Sequence, residues 1–408
     1  MVTALAFAVG AAFSFGARSQ YAATAQAPRV SHETLQAVAE ALVKADISTL
    51  SQLYQSTGDP ATHVLAAMAL ERIHGHLDEA SADAKLCTAS LRDSQANVAL
   101  FCERFANGNL RLAGKDPEAN QADMDTARRY GYKPPESFEP MRTEKPARGF
   151  NIPLVDTDQG KQGAIAIAAN GHALRLTVDT GTYDISLDQK TAHDLGVRML
   201  GVSGRTNGVL ATGVQTQYGL LDTLEFAGVT MHAVPVQVLP SHQRLLGLNV
   251  LRHLGALRIT RNSIHIYGES EERPGCAEPM LIASDLDGRD VHMVTALSIN
   301  SAAHITLLDT GADFYLSGNQ AALTEVASRF SGHIPLGDIG PITHEAAFNR
   351  ATADVVISGQ PIRMTFAVFK DANVPWAYAL GRDALQDMDF YFDFDNRHTC
   401  LLLHDHLH

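Results

Sequence analysis

The chain has 408 residues, of which 45% are apolar and 19% charged, and its 45 acidic against 32 basic side chains give a formal net charge of -13. That length exceeds what one hydrophobic core sustains, so two or three domains are expected. The acidic balance excludes a nucleic-acid binder, because neutralising phosphates takes clustered Lys and Arg.

Residues 1–27 hold no acidic side chain, run largely apolar from Val2 to Phe15 and close on Ala25-Gln26-Ala27, a small-x-small pattern suited to signal peptidase. They are assigned as an export signal, which places the protein in the periplasm or outside the cell. The basic n-region is missing, since Arg18 follows the apolar run; a frayed apolar N-terminal helix is the alternative. No later stretch is apolar for long enough to span a bilayer.

From Ser31 to about 132 apolar residues recur at helical spacing, as in Leu35, Val38 and Leu42, then Val64, Leu65, Met68 and Ile73. Breaks at Gly58-Asp59-Pro60, Arg92-Asp93-Ser94 and Asn107-Gly108-Asn109 divide this part into hairpin-sized helices, and Asp116-Pro117 has the form of an N-cap with proline at the first helical position. The pattern resembles tetratricopeptide-type repeats without the full consensus; an unrelated small bundle is the alternative. Cys87 and Cys102 lie on either side of the 92–94 turn, which would bring them face to face, while Cys276 and Cys400 follow later in the chain. An exported protein can oxidise both pairs, and free buried thiols are the alternative. None of the four sits at zinc-ligand spacing.

Residues 133–149 carry prolines at 134, 135, 140 and 146 among charged residues, the composition of an extended linker. Beyond it come short runs rich in Val, Ile, Thr and Phe, punctuated by Gly and Asn, which indicate strands. This part repeats itself. Residues 164–181 align without a gap on 294–311: each copy reaches an asparagine turn (Asn170, Asn300), returns as an apolar strand and ends in Asp-Thr-Gly. Leu224 to Gly228 then matches Val355 to Gly359, Leu245-Leu246-Gly247 matches Ala379-Leu380-Gly381, and each copy closes on a β run, Leu257 to Tyr267 and Phe390 to Leu403. Average residue usage yields a chance Asp-Thr-Gly in roughly one chain in ten of this size, so two at matched positions point to duplication.

Each residue type has a task in such a loop. Glycine after the aspartate lets backbone N–H groups approach the carboxylate, threonine offers a hydroxyl to hold the turn, and an apolar-apolar-Gly triplet packs beneath as a dry floor. These residues resemble the aspartic proteases of the retropepsin type, arranged as a single two-lobed chain as in pepsin; the resemblance covers about 150–403. It implies an α+β multidomain chain in which N-terminal all-α hairpins precede an all-β two-lobed acid-protease fold with pseudo-twofold symmetry, the lobes spanning 150–268 and 276–408. Asp179-Thr180-Gly181-Thr182 takes the place of one catalytic loop and Asp309-Thr310-Gly311-Ala312-Asp313 of the other. The supporting motif falls on Leu246-Gly247 and Leu380-Gly381; Gly381-Arg382-Asp383 keeps the retroviral form, and Gly247-Leu248-Asn249 keeps part of it.

The function so implied is an aspartic endopeptidase in which Asp179 and Asp309 share one proton and activate water, with an acid-shifted optimum. No cofactor or metal is required, and the partner is a peptide or protein substrate. The flap of the family is placed on Ser203 to Gly213, with Asn207, Gly208 and Gly213 as its turn residues, and its counterpart on Gly332 to His344; an ordinary surface loop is the alternative for each. G-x-S-x-G, H-E-x-x-H and P-loop motifs are missing from the sequence, and the tail His404-Asp405-His406-Leu407-His408 is assigned as solvated rather than metal-binding. A catalytically inactive retropepsin-fold scaffold or peptide-binding module is the competing reading. The helical part is open to substrate recruitment, to docking of a protein partner, or to covering the cleft.

Overall fold

A computed structural model of the chain describes residues 30–56, 58–133, 139–157, 162–340 and 343–404. The export signal assigned to 1–27, Pro341 of the second flap and Asp405 to His408 of the tail lie outside the described residues.

Among the described residues six helices come first: α1 (His32–Lys44), α2 (Ile47–Ser56), α3 (Pro60–Ile73), α4 (Leu77–Leu91), α5 (Ala96–Leu112) and α6 (Asp116–Tyr130). Their starts follow from local chemistry. The Ser31 hydroxyl accepts the Thr34 N–H at 3.0 Å, and the Asp59 carboxylate accepts the N–H groups of Ala61 and Thr62 at 3.2 and 3.1 Å ahead of a first-turn proline. The break expected at Asn107-Gly108-Asn109 does not occur, because α5 runs through it. Its polar residues are turned to tertiary use: Asn107 donates to Asp123 and Thr126, Asn109 accepts from Arg72, and Gly108 lets the Leu286 carbonyl approach to where a Cβ would stand 2.6 Å from it. The helix ends instead at Gly114, whose φ of +73° suits the left-handed cap. Asp116 begins α6 without capping it and pairs with Arg252 at 3.3 Å. Cys87 and Cys102 form a disulfide between α4 and α5, and Cys276 is joined to Cys400. Among the described residues no helix is long and apolar enough to cross a membrane.

The first lobe contains β1 (Arg142–Glu144), β2 (Phe150–Pro153), β3 (Val155–Asp156), β4 (Gln162–Ala169), β5 (His172–Val178), β6 (Ile185–Asp188), α7 (Gln189–Asp194), β7 (Arg198–Thr206), β8 (Val214–Phe226), β9 (Val229–Leu239), β10 (Leu245–Leu246), α8 (Leu248–Arg252), β11 (Ala256–Ile259) and β12 (Ser263–Ile266). The second contains β13 (Leu281–Ser284), β14 (Val291–Ile299), β15 (Ala302–Asp309), β16 (Leu316–Gly318), β17 (Ser328–Leu336), β18 (His344–Ile357), β19 (Gln360–Phe369), β20 (Tyr378–Gly381), β21 (Met388–Asp393) and β22 (His398–Leu403).

The duplication is visible strand by strand. Pairings β4-β5-β10-β6-β9-β8 return to β4, and β14-β15-β20-β16-β19-β18 return to β14, so each lobe closes on itself. From each ring hangs one hairpin, β7–β8 and β17–β18. Both asparagine turns have positive φ, 47° at Asn170 and 48° at Asn300, and each side chain also accepts from the neighbouring strand, from the Thr223 N–H at 2.9 Å and the Asp354 N–H at 3.2 Å. The closing β runs unite the lobes in one sheet of order β2-β12-β11-β21-β22, with Leu257 opposite Phe392 at the seam.

The helices rest on the second lobe. Leu42, Leu65, Met68 and Phe105 share one apolar core with Leu281, Val294, Leu307 and Trp376, and the Trp376 indole donates to the Lys44 carbonyl at 3.0 Å. At the centre of this junction Arg72 is fully buried over the Phe105 ring, donating to Asn109 Oδ1 at 2.7 Å and to the carbonyls of Phe105, Asp285 and Leu286 at 2.5, 3.0 and 3.0 Å. Burial pushes its guanidinium down to about 9; a cation so enclosed is tolerated because its donors find acceptors.

Candidate active site

Asp179 directly follows β5 and Asp309 ends β15, and the parallel neighbours β10 and β20 fix both turns. In the first lobe the Asp179 N–H donates to the Leu246 carbonyl at 3.0 Å and the Leu248 N–H to the Thr182 carbonyl at 3.0 Å; in the second, the Arg382 N–H donates to the Ala312 carbonyl at 2.8 Å. Gly247 and Gly381 are required where they stand, since a Cβ would lie 2.4 Å from the Tyr183 carbonyl oxygen or 2.1 Å from that of Phe314. Leu246 and Leu380 are fully buried beneath the loops.

The threonines act across the lobes rather than within their own turns, which corrects the role expected for them. The Thr180 hydroxyl donates to the Leu308 carbonyl at 2.7 Å and accepts the Thr310 N–H at 3.0 Å; reciprocally, the Thr310 hydroxyl donates to the Val178 carbonyl at 2.9 Å and accepts the Thr180 N–H at 3.1 Å. Both threonines are buried. This cross-brace holds the two loops in fixed register, because breaking any one bond strands a buried backbone group.

The carboxyl groups of Asp179 and Asp309 meet between the two loops, each beside the glycine of the opposite lobe. Asp179 also accepts the Gly181 N–H at 2.8 Å, and Asp309 the Gly311 N–H at 2.9 Å. Glycine has a second task here, since a Cβ on Gly181 would stand 2.5 Å from the Asp309 carboxyl carbon and one on Gly311 2.4 Å from that of Asp179. Both side chains are half-buried. Desolvation raises both above the ordinary carboxylate range; the neighbouring carboxylate charge adds to the rise, and the loop N–H groups of Gly181 and Gly311 oppose it. Two such groups hold one proton between them and titrate as a unit.

Of the flap residues expected in the first lobe, Asn207 and Gly213 close the loop between β7 and β8, the Asn207 side chain accepting the Gly213 N–H at 2.8 Å, and Gly208 faces Asp338 of the second lobe. The remaining residues named from the sequence, Thr182 and Ala312, donate their N–H groups to the main-chain carbonyls of Asp179 and Asp309 at 3.4 and 3.2 Å.

The family model described as "gag-polyprotein putative aspartyl protease" matches residues 165–253, from within β4 to the residue after α8. The β part of the chain has a retropepsin-like fold. No curated protein matches the chain. Among solved structures, a retropepsin-like aspartic protease from Rickettsia conorii aligns at 21% identity over 31% of this chain and 94% of its own, with a TM-score of 0.23. The EIAV protease in complex with an inhibitor aligns at 25% identity over 23% and 86%, TM-score 0.18, and Basic 7S globulin from soybean at 11% identity over 63% and 95%, TM-score 0.38.

Three features of the retropepsin-like lobes escaped the sequence. Arg382 pairs with Asp313, and its guanidinium lies where a Cβ on Gly163 of the first lobe would be 2.2 Å away. Asp184, behind the first loop, accepts from Asn249 at 3.2 Å and is pushed up to about 7 by burial. Asp338 reaches across to the opposite hairpin. The retroviral form of 381–383 hinted at the first; the other two are single carboxylates whose partners lie far off in the chain.

Proposed function

We propose that this chain is an aspartic endopeptidase in which Asp179 and Asp309 activate a water molecule to hydrolyse a peptide bond. The observation that carries this reading is the meeting of two carboxyl groups, one from each lobe, on loops braced against each other by Thr180 and Thr310. A scaffold gains nothing from two carboxylates forced together, and a general acid–base pair needs them so. The ionised member takes a proton from a water bridging the pair, the oxygen attacks the scissile carbonyl, and the protonated member donates to the oxygen on which charge develops. Collapse of the adduct returns a proton to the leaving amine.

The substrate is an extended peptide, which pairs by backbone with the strand edges around the cleft. The disulfides Cys87–Cys102 and Cys276–Cys400 support a periplasmic or secreted protein, since such bonds persist in oxidising compartments. The test is cleavage of an unfolded protein by the intact chain and by Asp179→Asn and Asp309→Asn. Cleavage lost in each variant, with folding retained, supports the reading; no cleavage by a well-folded parent moves the assignment to a peptide-binding scaffold.

A further inference from the structure

The last turn of α5 and the start of α6 sit against both lobes at once. Towards the second lobe, the Arg111 guanidinium donates to the Asp287 carbonyl at 2.5 Å, and Asp123 pairs with both Arg111 and Arg289 at 2.8 Å. Arg104 adds a two-pronged pair with Asp287 at 2.9 and 2.5 Å. Towards the first lobe, the contact runs through Arg252, the last residue of the five-residue helix α8. Its guanidinium donates to the Arg111 carbonyl at 2.8 Å and pairs with Asp116 at 3.3 Å, with His253 Nε2 3.8 Å from the same carboxylate. The carboxylate and the carbonyl end of α5, where the helix dipole is negative, make one anionic seat for this cation, whose side chain is only 12% exposed.

On its other side Arg252 faces the support of the first catalytic loop. Its Nε donates to Asn249 Oδ1 at 3.2 Å, and its guanidinium carbon lies 5.6 Å from the centre of the Tyr183 ring. The Asn249 N–H in turn donates to the Tyr183 carbonyl at 2.7 Å, in the loop that Asp179 begins. The second lobe steadies its corresponding turn from within, by Arg382 on Asp313. The first lobe has Leu248 in that place, and its cation stands about one helical turn later, on a carboxylate that belongs to the helices. So short a helix is marginal by itself, so that whatever fixes α8 fixes the loop resting on it. We propose that the helical part is a brace for the active site: seated on Asp116 and the Arg111 carbonyl, Arg252 is a positioning residue that holds the Asp179 loop in register with the Asp309 loop, whose lobe the same helices grip through Arg111 and Asp123. This rests on the protease reading given above.

Hydrogen exchange and steady-state kinetics of the full chain test the brace together. Asp116→Asn removes the charge of the seat and keeps its shape, and Arg252→Met removes the guanidinium and keeps the stem. In each, the amides of Leu248 and Asn249, which donate to Thr182 and Tyr183, are expected to exchange about 10-fold faster, with that of Arg382 in the second lobe unchanged, because only the first loop loses its support. Peptide cleavage falls about 10-fold in kcat at constant KM, a part of the ~100-fold that a full ångström of misplacement costs. The double variant is no slower than either single one, since both remove the same bond. Asp116→Glu, which keeps the charge, recovers most of the protection. A merely structural role would lower the melting temperature and leave kcat of the folded chain unchanged. Should Arg252→Met not fold, Asp116→Asn decides. Unchanged exchange at 248 and 249 in the folded variants overturns the brace. Faster exchange with unchanged kcat, or a rise in KM alone, overturns the positioning role. A parent chain that cleaves nothing fails the protease reading and leaves the exchange result to decide the brace.

Discussion

The two lobes carry the same ring of strands, and they differ in what stands behind the catalytic loop and in what covers their outer face. Behind Asp309 a cation is built in: Arg382 pairs with Asp313. Behind Asp179 the matching position is Leu248, fully buried, and Asn249 donates instead to Asp184 while accepting from Arg252 at 3.2 Å. The outer face of the second lobe is sealed by the helices, whereas the first lobe meets them chiefly through Arg252, which donates to the Arg111 carbonyl at 2.8 Å and pairs with Asp116. The glycines and threonines that set the dyad are the same in both lobes. Duplication therefore kept the parts that touch the aspartates and let the supports behind them diverge, since different chemistry can hold one backbone geometry.

Removing the helices is expected to have the largest effect. A chain starting at Glu139 exposes Leu281, Val294, Leu307 and Trp376 of the second lobe, each costing on the order of 2 kcal/mol, and strands the carbonyls that Arg72 serves. The second lobe then fails to fold cooperatively, which fluorescence of Trp376, the single tryptophan, reports. A truncated chain melting like the intact one would make the helices an appendage and end the contrast between the lobes.

Gly181→Ala and Gly311→Ala ask whether the dyad is as symmetric as its loops. Each methyl collides with the opposite carboxyl, so both reduce peptide cleavage by about 100-fold or more, the usual consequence of an ångström-scale misplacement. A loss in one variant alone would show that the lobes contribute unequally.

Arg382→Leu places the first lobe's residue in the second and leaves Asp313 without its cation. Because the pair is partly open to solvent, the cost sits at the low end for broken buried pairs, about 3 kcal/mol, read from the urea midpoint. An unshifted midpoint would mean that the second lobe no more needs the cation than the first.

The smallest effect belongs to Asp184. Its folded pKa of about 7 lies above the ordinary carboxylate value of 3.8, so the folded state binds the proton more tightly. The stabilisation is complete below pH 3.8 and is lost as pH rises through about 7. The carboxyl is only half-buried, which limits the change to about 1–2 kcal/mol. Asp184→Asn flattens stability between those limits; an unaltered slope would place the titrating group elsewhere.

What the sequence disclosed was what repeats. Two copies of Asp-Thr-Gly with their apolar-apolar-Gly partners located both loops, and the asparagine turns marked equivalent strands because an Asn at positive φ leaves a local signature. Asn107-Gly108-Asn109 misled because turn-forming residues also serve close packing: the energy that keeps α5 continuous comes from Arg72, Asp123 and the Leu286 carbonyl, all distant in sequence. The threonine brace and the bonds of Asp338 to the opposite hairpin were hidden for the same reason, each joining the two lobes.

The central claim is that Asp179 and Asp309 work as one unit, and the direct test is kcat/KM for a peptide substrate from about pH 3 to 8 in the parent chain, Asp179→Asn, Asp309→Asn and the double variant. The account predicts acid-favoured cleavage in the parent and single variants as inactive as the double, because members of a unit are not additive. A single variant retaining much of the activity, or a parent optimum above neutrality, would contradict it.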